Sequence, residues 1–477
     1  MIKQTKLMTK IIKPNKNINF PIGTILTIKR YYEKLNFHNI FGKFKKRGLD
    51  INSLAQGLLS YKLTENFSIS KASDWINRKQ VLEEFELKSF HEKTLFRTLG
   101  IIGKNREEII ANIQTNLFEK YNFEHTNCNV DWTSLVIWGE MCKLAKHGFS
   151  KDHRPDKKQI SLGISEIANP INIPIGITIE SGNMPDMKHF SKSYNQIKDR
   201  LKPNSRIVFD KGANSKDNIE MILAEKMRYL TAKKLNKSDD KRIKAFDKSK
   251  AECVDKEKGI YGIKFHKPSK IDYFYFSEEL KQTQLKSKKK KALKMLDEAR
   301  EIQKSLDKNK ALPKRFQIKN KLVDVRYDYQ TKLKQLSEKE ALKYVENEII
   351  TGREGFFSLI SNENLTLKEA LDIYRKKDSV EKMINSLKNE IEIKPLRVWT
   401  ENSIYGAIII GFIAQLFMSL IKYENDELKN VSIKFIKNSM MNLTVTVEIV
   451  GSRVRRRIYA NFDLVNELIL AQNQGIT

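Results

Sequence analysis

Along roughly the first 125 residues, apolar positions recur at helical spacing and alternating runs are few. The stretch ISKASDWINRKQVLEEF, Ile69 to Phe85, offers Ser70 as a candidate N-cap ahead of an apolar stripe. Residues 1–125 are therefore expected to be helical, as a helix-turn-helix that enters a DNA groove or as a plain bundle. From Asn127 the pattern changes. NCNVDWTSLVIW reads as a strand, and ISLGISEIANPINIPIGITIESGN, from Ile160, as two β-rich runs about a turn at Asn169-Pro170. A helix is expected from Met187 to Leu201. SRIVFDKG then makes a short apolar strand ending in Asp210 and Gly212, followed by a helix over 216–226 and a strand in MRYLTAKK. Hairpin, helix, strand, helix, strand predicts an α/β core around a mixed sheet.

Residues 236–350 break that rhythm and read as an insertion. Strand is expected near Gly259 to Phe276, then long helices around Pro313. The insertion carries the Lys-rich run SKKKK, Ser287 to Lys291, and a helical stripe at Leu293, Leu296, Ala299, Ile302 and Leu306. The α/β pattern resumes at REGFFSLISN, Arg353 to Asn362. One long helix is expected from Thr366 to Glu392, ended by Pro395. The run AIIIGFIAQLFMSLI, Ala407 to Ile421, is short for a bilayer, which takes about 20 residues. It reads as a buried core helix, and no membrane partner is expected. GSRVRRRIY adds a basic patch of Arg453, Arg455, Arg456 and Arg457. The organisation expected is a helical region over 1–125, a core in two parts over 126–235 and 351–425, the insertion over 236–350, and a C-terminal region over 426–477.

Charge changes the picture. The 477 residues hold 88 Lys and Arg against 58 Asp and Glu, a formal net charge of +30. Part of that excess reflects a composition rich in Lys, Ile and Asn. The remainder favours a polyanionic partner, of which nucleic acid is the commonest. The three cysteines, Cys128, Cys142 and Cys253, form no CxxC pair, and a reducing cytosol fits them. No secretory signal is expected, because the basic N-terminus lacks a long apolar run.

Carboxylates supply the candidate chemistry. Asp131 and Asp210 interrupt apolar strands, where an unpaired charge is costly unless a cation is nearby. YRKKDSVEKMINSLK adds Glu381 on a later helix, with Tyr374, Lys377 and Lys388 at steps of three, four and seven residues, which return to one helix face. Three such carboxylates can hold two divalent ions about 4 Å apart for phosphoryl transfer, and Mg²⁺ suits an oxygen-rich site. In KDHRPD, Lys151 to Asp156, a polar turn is the preferred reading over an acid–base pair of Asp152 and His153.

These residues carry a resemblance. DWTSL and IVFDKGANS resemble the segments that bear the first and second catalytic Asp of the DDE transposases of bacterial and archaeal insertion sequences. Their third-carboxylate helix in one branch carries Tyr, two residues, Arg, three residues, Glu, six residues, Lys. Tyr374, Lys377, Glu381 and Lys388 match that spacing, with Lys377 in place of Arg. HGFSKDHRPDKKQISLG and SGNMPD resemble further segments of the branch. The resemblance covers about 127–235 and 350–420. It implies a ribonuclease-H-like catalytic core, a helical N-terminal DNA-binding region, and a Lys-rich insertion between the second Asp and the Glu. It further implies Asp131, Asp210 and Glu381 as ligands of Mg²⁺, with Mn²⁺ as substitute, and phosphate contacts from Tyr374, Lys377 and Lys388. The expected partners are double-stranded DNA, as terminal inverted repeats and target DNA, and a second copy in a synaptic homodimer. A cytoplasmic, nucleoid-associated enzyme is expected. The alternatives are a domesticated or decayed transposase that only binds DNA, and a ribonuclease-H-like nuclease.

Overall fold

The computed structural model describes residues 17–44, 48, 50–64, 68–168, 172–308, 323–325, 331–333, 338–450 and 453–470. The Asn169-Pro170 turn and Pro313 lie outside them. The chain divides into two compact units, residues 1–228 with 375–477, and residues 229–374.

The first element among the described residues is a strand, where the sequence pattern led to an expectation of helix. β1 (Asn17–Pro21) pairs antiparallel with the strand Thr444–Val450. Seven helices then follow among the described residues: α1 (Gly23–Lys34), α2 (Phe37–Gly42), α3 (Ile51–Lys62), α4 (Ile69–Ile76), α5 (Lys79–Glu84), α6 (Lys93–Lys104) and α7 (Arg106–Lys120). The stretch Ile69 to Phe85, expected to be helical, forms α4 and α5. Its N-cap is Ser68, whose hydroxyl accepts from Lys71 N at 3.2 Å, and not Ser70. The break comes at Asn77, whose amide turns back to Ser73 O and across to Phe90 O, at 2.9 and 3.0 Å, and so competes with the helical backbone.

The sheet of this unit consists of β2 (Cys128–Val136), β3 (Gln159–Ile167), β4 (Ile173–Ser181) and β5 (Arg206–Phe209), in the order β4-β3-β2-β5. The first three form an antiparallel meander, and β5 runs parallel to β2. α8 (Asp186–Ile197) covers one face. There Trp132 and Phe209 pack against Phe190, and the Trp132 indole donates to Ser193 Oγ at 3.2 Å. α9 (Lys216–Ala224) follows β5. A mixed sheet covered by helices is consistent with the expected ribonuclease-H-like core.

In the second unit, β6 (Arg228–Lys233), α10 (Asp240–Lys244), β7 (Glu252–Asp255), β8 (Ile260–Lys267), β9 (Lys270–Ser277), α11 (Glu278–Asp307), β10 (Val323–Val325), β11 (Thr331–Leu333), α12 (Glu338–Ile349) and β12 (Phe356–Ser361) follow in turn. β12 pairs antiparallel with both β6 and β9. β6 and β12, core strands by their sequence pattern, therefore group with the intervening segment. Asp272 is fully buried there, surrounded by Arg242, Lys233 and Lys267 at 2.8, 3.6 and 3.5 Å. The α11 stripe packs through Leu296 and Ala299 against Ala341 and Val345 of α12, whereas Leu293 is exposed. In the Lys-rich run, Lys288 reaches Glu354 and the carbonyl of Ile349.

The expected single helix from Thr366 is divided. The second unit ends at Tyr374, within α13 (Leu367–Lys376), Lys377 is a turn residue, and α14 (Asp378–Asn389) belongs to the first unit. α15 (Glu401–Glu424) is longer than its apolar run. By length and composition it meets the measure of a membrane span, yet 94% of its most apolar window is buried inside the first unit. It crosses α6 at backbone contact: a Cβ on Gly103 would sit 1.8 Å from Asn402 O, and one on Gly406 2.0 Å from Leu99 O. α16 (Ile433–Asn442), β13 (Thr444–Val450), β14 (Arg453–Ala460) and α17 (Leu464–Leu470) complete the unit. In the basic stretch of β14, Arg457 is ion-paired to Glu84 at 2.8 Å, and the other three arginine side chains lie outside the described set.

Candidate active site

The site grows from the alternation of β2. Val130 and Trp132 are buried in the core. Asn129, Asp131 and Thr133, on the opposite face of the strand, each have a polar partner at the α14 end of the chain. Asn129 Nδ2 donates to Ser379 Oγ at 3.0 Å, Asp131 Oδ2 lies 3.8 Å from Lys377 Nζ, and Thr133 Oγ1 accepts from Lys388 Nζ at 2.7 Å. The parallel register pairs Val130 with Phe209, the last residue of β5. Asp131 and Asp210 are thus the next residues along two adjacent strands. A short β5 ending just before Asp210 explains why that carboxylate stands at the strand end.

Lys377 is the centre of charge. Its side chain is 5% exposed, and its ammonium donates to Glu381 Oε1 at 3.1 Å. Burial works against its charge, but the carboxylates of Asp131, Glu381 and Asp210 outweigh that and hold its pKa above the ordinary lysine value. Asp131 is raised above the usual carboxylate range. Burial is the main cause, opposed by the charges of Lys377 and Lys151. Glu381 is 58% exposed. Asp131 and Glu381 are therefore no further apart than the two lysine contacts that span them, and Asp210 acts on the same ammonium. Asp210 also lines a cleft of about 510 Å³ with Thr133, Ser134, Lys151 and Asp186.

Among the described residues, no group of three His, Cys, Asp or Glu is gathered closely enough to hold a metal ion as it stands. The donor chemistry nevertheless fits. Three carboxylates suit a hard divalent cation, and the desolvated Asp131 requires positive charge beside it. Lys377 supplies that charge here, standing where a cation would neutralise Asp131 and Glu381.

The remaining signature residues separate. Lys388 is buried and ion-paired with Asp152 at 3.0 Å. Its pKa is lowered, by burial first, against the pull of Asp152. A phosphate contact from Lys388 would have to displace Asp152. Tyr374 is half-buried on α13, in the second unit. The KDHRPD segment is a turn, as its polarity suggested, but Asp152 is the counter-ion of Lys388.

One group lies beyond the residues that spacing selects. Glu166, fully buried on β3, sits opposite Asn129 in the register and accepts from Asn129 Nδ2 at 3.1 Å and from the Ser379 hydroxyl. The criterion that selects Asp131 and Asp210, a carboxylate inside an apolar strand, selects Glu166 in ISLGISEI equally. What linear spacing does not reveal is its partner 213 positions away.

Residues 145–417 match the transposase DDE domain family. The chain belongs to that family. The matched span takes in Asp210, the second unit, the whole Tyr374-to-Lys388 signature and most of α15, and it begins downstream of Asp131. No protein of curated function matches the transposase. A cryo-EM structure of the piggyBac transposase synaptic complex with hairpin DNA is similar to it at 11% identity, over 90% of this chain and 81% of that one, with a TM-score of 0.43. A likeness that low carries no argument about mechanism. Family membership supports a DNA transposase that works on DNA through divalent-metal chemistry.

Proposed function

We propose that the protein is a cut-and-paste transposase that hydrolyses DNA at the ends of its insertion sequence and joins the freed 3′-hydroxyls to target DNA. One observation carries this reading: Lys377 touches two carboxylates of the proposed triad and feels the third, so three acidic groups share one centre of positive charge. Asp131, Asp210 and Glu381 would hold two Mg²⁺ ions, or Mn²⁺ in their place. When bound, such ions supply an activated oxygen nucleophile and neutralise the leaving oxygen. The chain's own part is to fix the carboxylates. β2 and β5 present the two Asp residues from a rigid sheet, and α14 brings Glu381 to them. Lys377 balances Asp131 and Glu381, and would turn to a DNA phosphate as cations enter. By the same resemblance, Tyr374 and Lys388 would join it as phosphate contacts.

The N-terminal helices would recognise the terminal inverted repeats, while net positive charge adds sequence-independent affinity. Two ends require two copies, so a homodimer acts in the synaptic complex. The working place is the cytoplasm, at the nucleoid, with no membrane partner. The test is cleavage of DNA carrying the element's own ends with Mg²⁺. Wild type should nick at the end junction, and Glu381→Ala should bind those ends normally without nicking. Wild-type protein that binds the ends but leaves them intact would instead favour a DNA-binding protein without transposase chemistry.

A further inference from the structure

We infer that Glu166 is a positioning residue for the proposed carboxylate site, tying the strand that bears Asp131 to the helix that bears Glu381. The inference rests on the functional reading above.

The geometry is a closed triangle. Asn129 Nδ2 donates one proton to Glu166 Oε1 at 3.1 Å and the other to Ser379 Oγ at 3.0 Å, and the Ser379 hydroxyl donates to the same Glu166 oxygen. Each corner lies on a different element. Asn129 is two residues before Asp131 on β2, Ser379 is two before Glu381 in the first turn of α14, and Glu166 is on β3. In a strand, residues two apart share a face, so the Asn129 tether fixes the face that presents Asp131. On the helix, Ser379 is the last anchored polar group before Glu381, which is itself mostly in solvent. The triangle adds a directional polar tie to a first turn of α14 that is otherwise held by the buried Val380 and by the contact from Lys377 to Glu381.

Glu166 is an expensive way to build that joint. All nine positions of β3 are buried, and Glu166 Oε2 has no hydrogen-bond partner among the described residues. A packed apolar side chain there would avoid the cost of burying a carboxyl group. Leu at this position alone would leave the Asn129 and Ser379 donors without their acceptor, so a purely apolar joint would need all three residues changed. The strong acceptor, fixed between two elements that each carry a proposed ligand, is what Leu lacks. Outer groups that orient metal ligands commonly change metal affinity by 10–100-fold when removed.

The experiment uses the full-length protein and the variants Glu166→Leu, Glu166→Gln and Ser379→Ala. Three quantities are read: thermal melting, Mn²⁺ binding by calorimetry without DNA, and the Mg²⁺ dependence of end cleavage. Ser379→Ala should melt close to wild type and Glu166→Leu lower, because two donors lose their acceptor; both should bind Mn²⁺ about tenfold more weakly or worse and need correspondingly more Mg²⁺. Glu166→Gln keeps a carbonyl acceptor and should stay within about threefold of wild type on both metal readouts. If Glu166→Leu does not fold, Ser379→Ala alone decides. Folded variants with wild-type Mn²⁺ affinity and Mg²⁺ dependence would overturn the role of Glu166 while leaving the proposed function standing. Wild-type protein that neither binds Mn²⁺ nor cleaves would overturn the functional reading and this inference with it.

Discussion

Lys377 bears on both stability and chemistry, because its ammonium is the nearest cation to a carboxylate that burial disfavours. Removing one partner of a buried ion pair costs about 3–5 kcal/mol, since the remaining charge is left uncompensated. Asp131 is mostly buried, with a side chain 14% exposed, so Lys377→Met is expected at the lower end, about 3 kcal/mol. Mg²⁺ should stabilise both proteins and the variant by more, because in the variant the cation does not compete with an ammonium for the carboxylates. Thermal melts with and without Mg²⁺ check both statements, and an unchanged melting temperature in Lys377→Met would remove Lys377 from the centre of the site. Lys377→Arg keeps the charge and should keep the stability. Glu166 gives a second residue-scale prediction. Burial pushes its carboxyl from 4.5 up to about 7, against hydrogen bonds from Ser379 and Asn129. A raised folded-state pKa means that the folded chain holds the proton longer than the unfolded chain. Its contribution to stability is therefore full below pH 4.5 and is lost as pH rises through about 7. Relative to Glu166→Gln, wild type should lose up to about 3 kcal/mol between pH 4.5 and 8. Urea unfolding of both proteins at the two pH values measures the difference.

At the scale of elements, the sequence pattern locates the strands that carry the two Asp residues, misses β1, and does not show what packs on them. Asp131 and Asp210 stood out because a carboxylate breaks an apolar run, and β2, β3, β4 and β5 all lie where alternation or apolarity put them. The three-, four- and seven-residue steps from Tyr374 to Lys388 suggested one face of one helix. The chain turns at Lys377 instead, and within α14 Lys388 is buried while Glu381, two turns earlier on the same face, reaches solvent. Periodicity states which residues share a face, and the neighbour that covers the face is a matter of tertiary structure. Asp152 shows the same limit. It looked like a turn residue, and only the fold brings Lys388, 236 positions away, to within 3.0 Å of it. Asp152→Asn and Lys388→Met should each destabilise by about 3 kcal/mol, and the double variant by less than the sum, leaving a coupling of about 1–3 kcal/mol. Denaturant unfolding of the four proteins gives that cycle directly. An additive result would mean that Lys388 is free to serve DNA. The α6–α15 crossing yields a sharper test. A methyl group on Gly406 would overlap Leu99 O, which is backbone and cannot step aside. Gly406→Ala should cost about 3 kcal/mol or more and reduce soluble yield, whereas Gly100→Ala, which meets only Ser403 Oγ at 4.0 Å, should not.

For the whole molecule, a net charge of +30 is the property most plainly legible in the sequence, and the fold shows how little of it is local to the site. The basic groups nearest the carboxylates are already engaged: Lys377 with Asp131 and Glu381, Lys388 with Asp152, and Lys151 with Asp186. Affinity for DNA must then come mainly from the wider surface, and catalysis from a few buried pairs, so the two should separate in experiment. Each phosphate that a lysine or arginine neutralises releases counterions, and log K falls with log salt at about −0.9 per phosphate. An interface of six to ten phosphates predicts a slope of about −5 to −9, a loss of roughly 10³ to 10⁵ in affinity between 50 and 200 mM salt. Binding of end-bearing and unrelated duplexes, followed by fluorescence anisotropy across that range, measures the slope. Both duplexes should share it, because phosphates carry no sequence, while the end-bearing duplex binds tighter by a constant factor. Glu381→Ala and Asp210→Ala should keep the slope and lose cleavage. A slope shallower than about −2 would mean that fewer than three phosphates are neutralised, too few for a charge of this size to be serving a duplex.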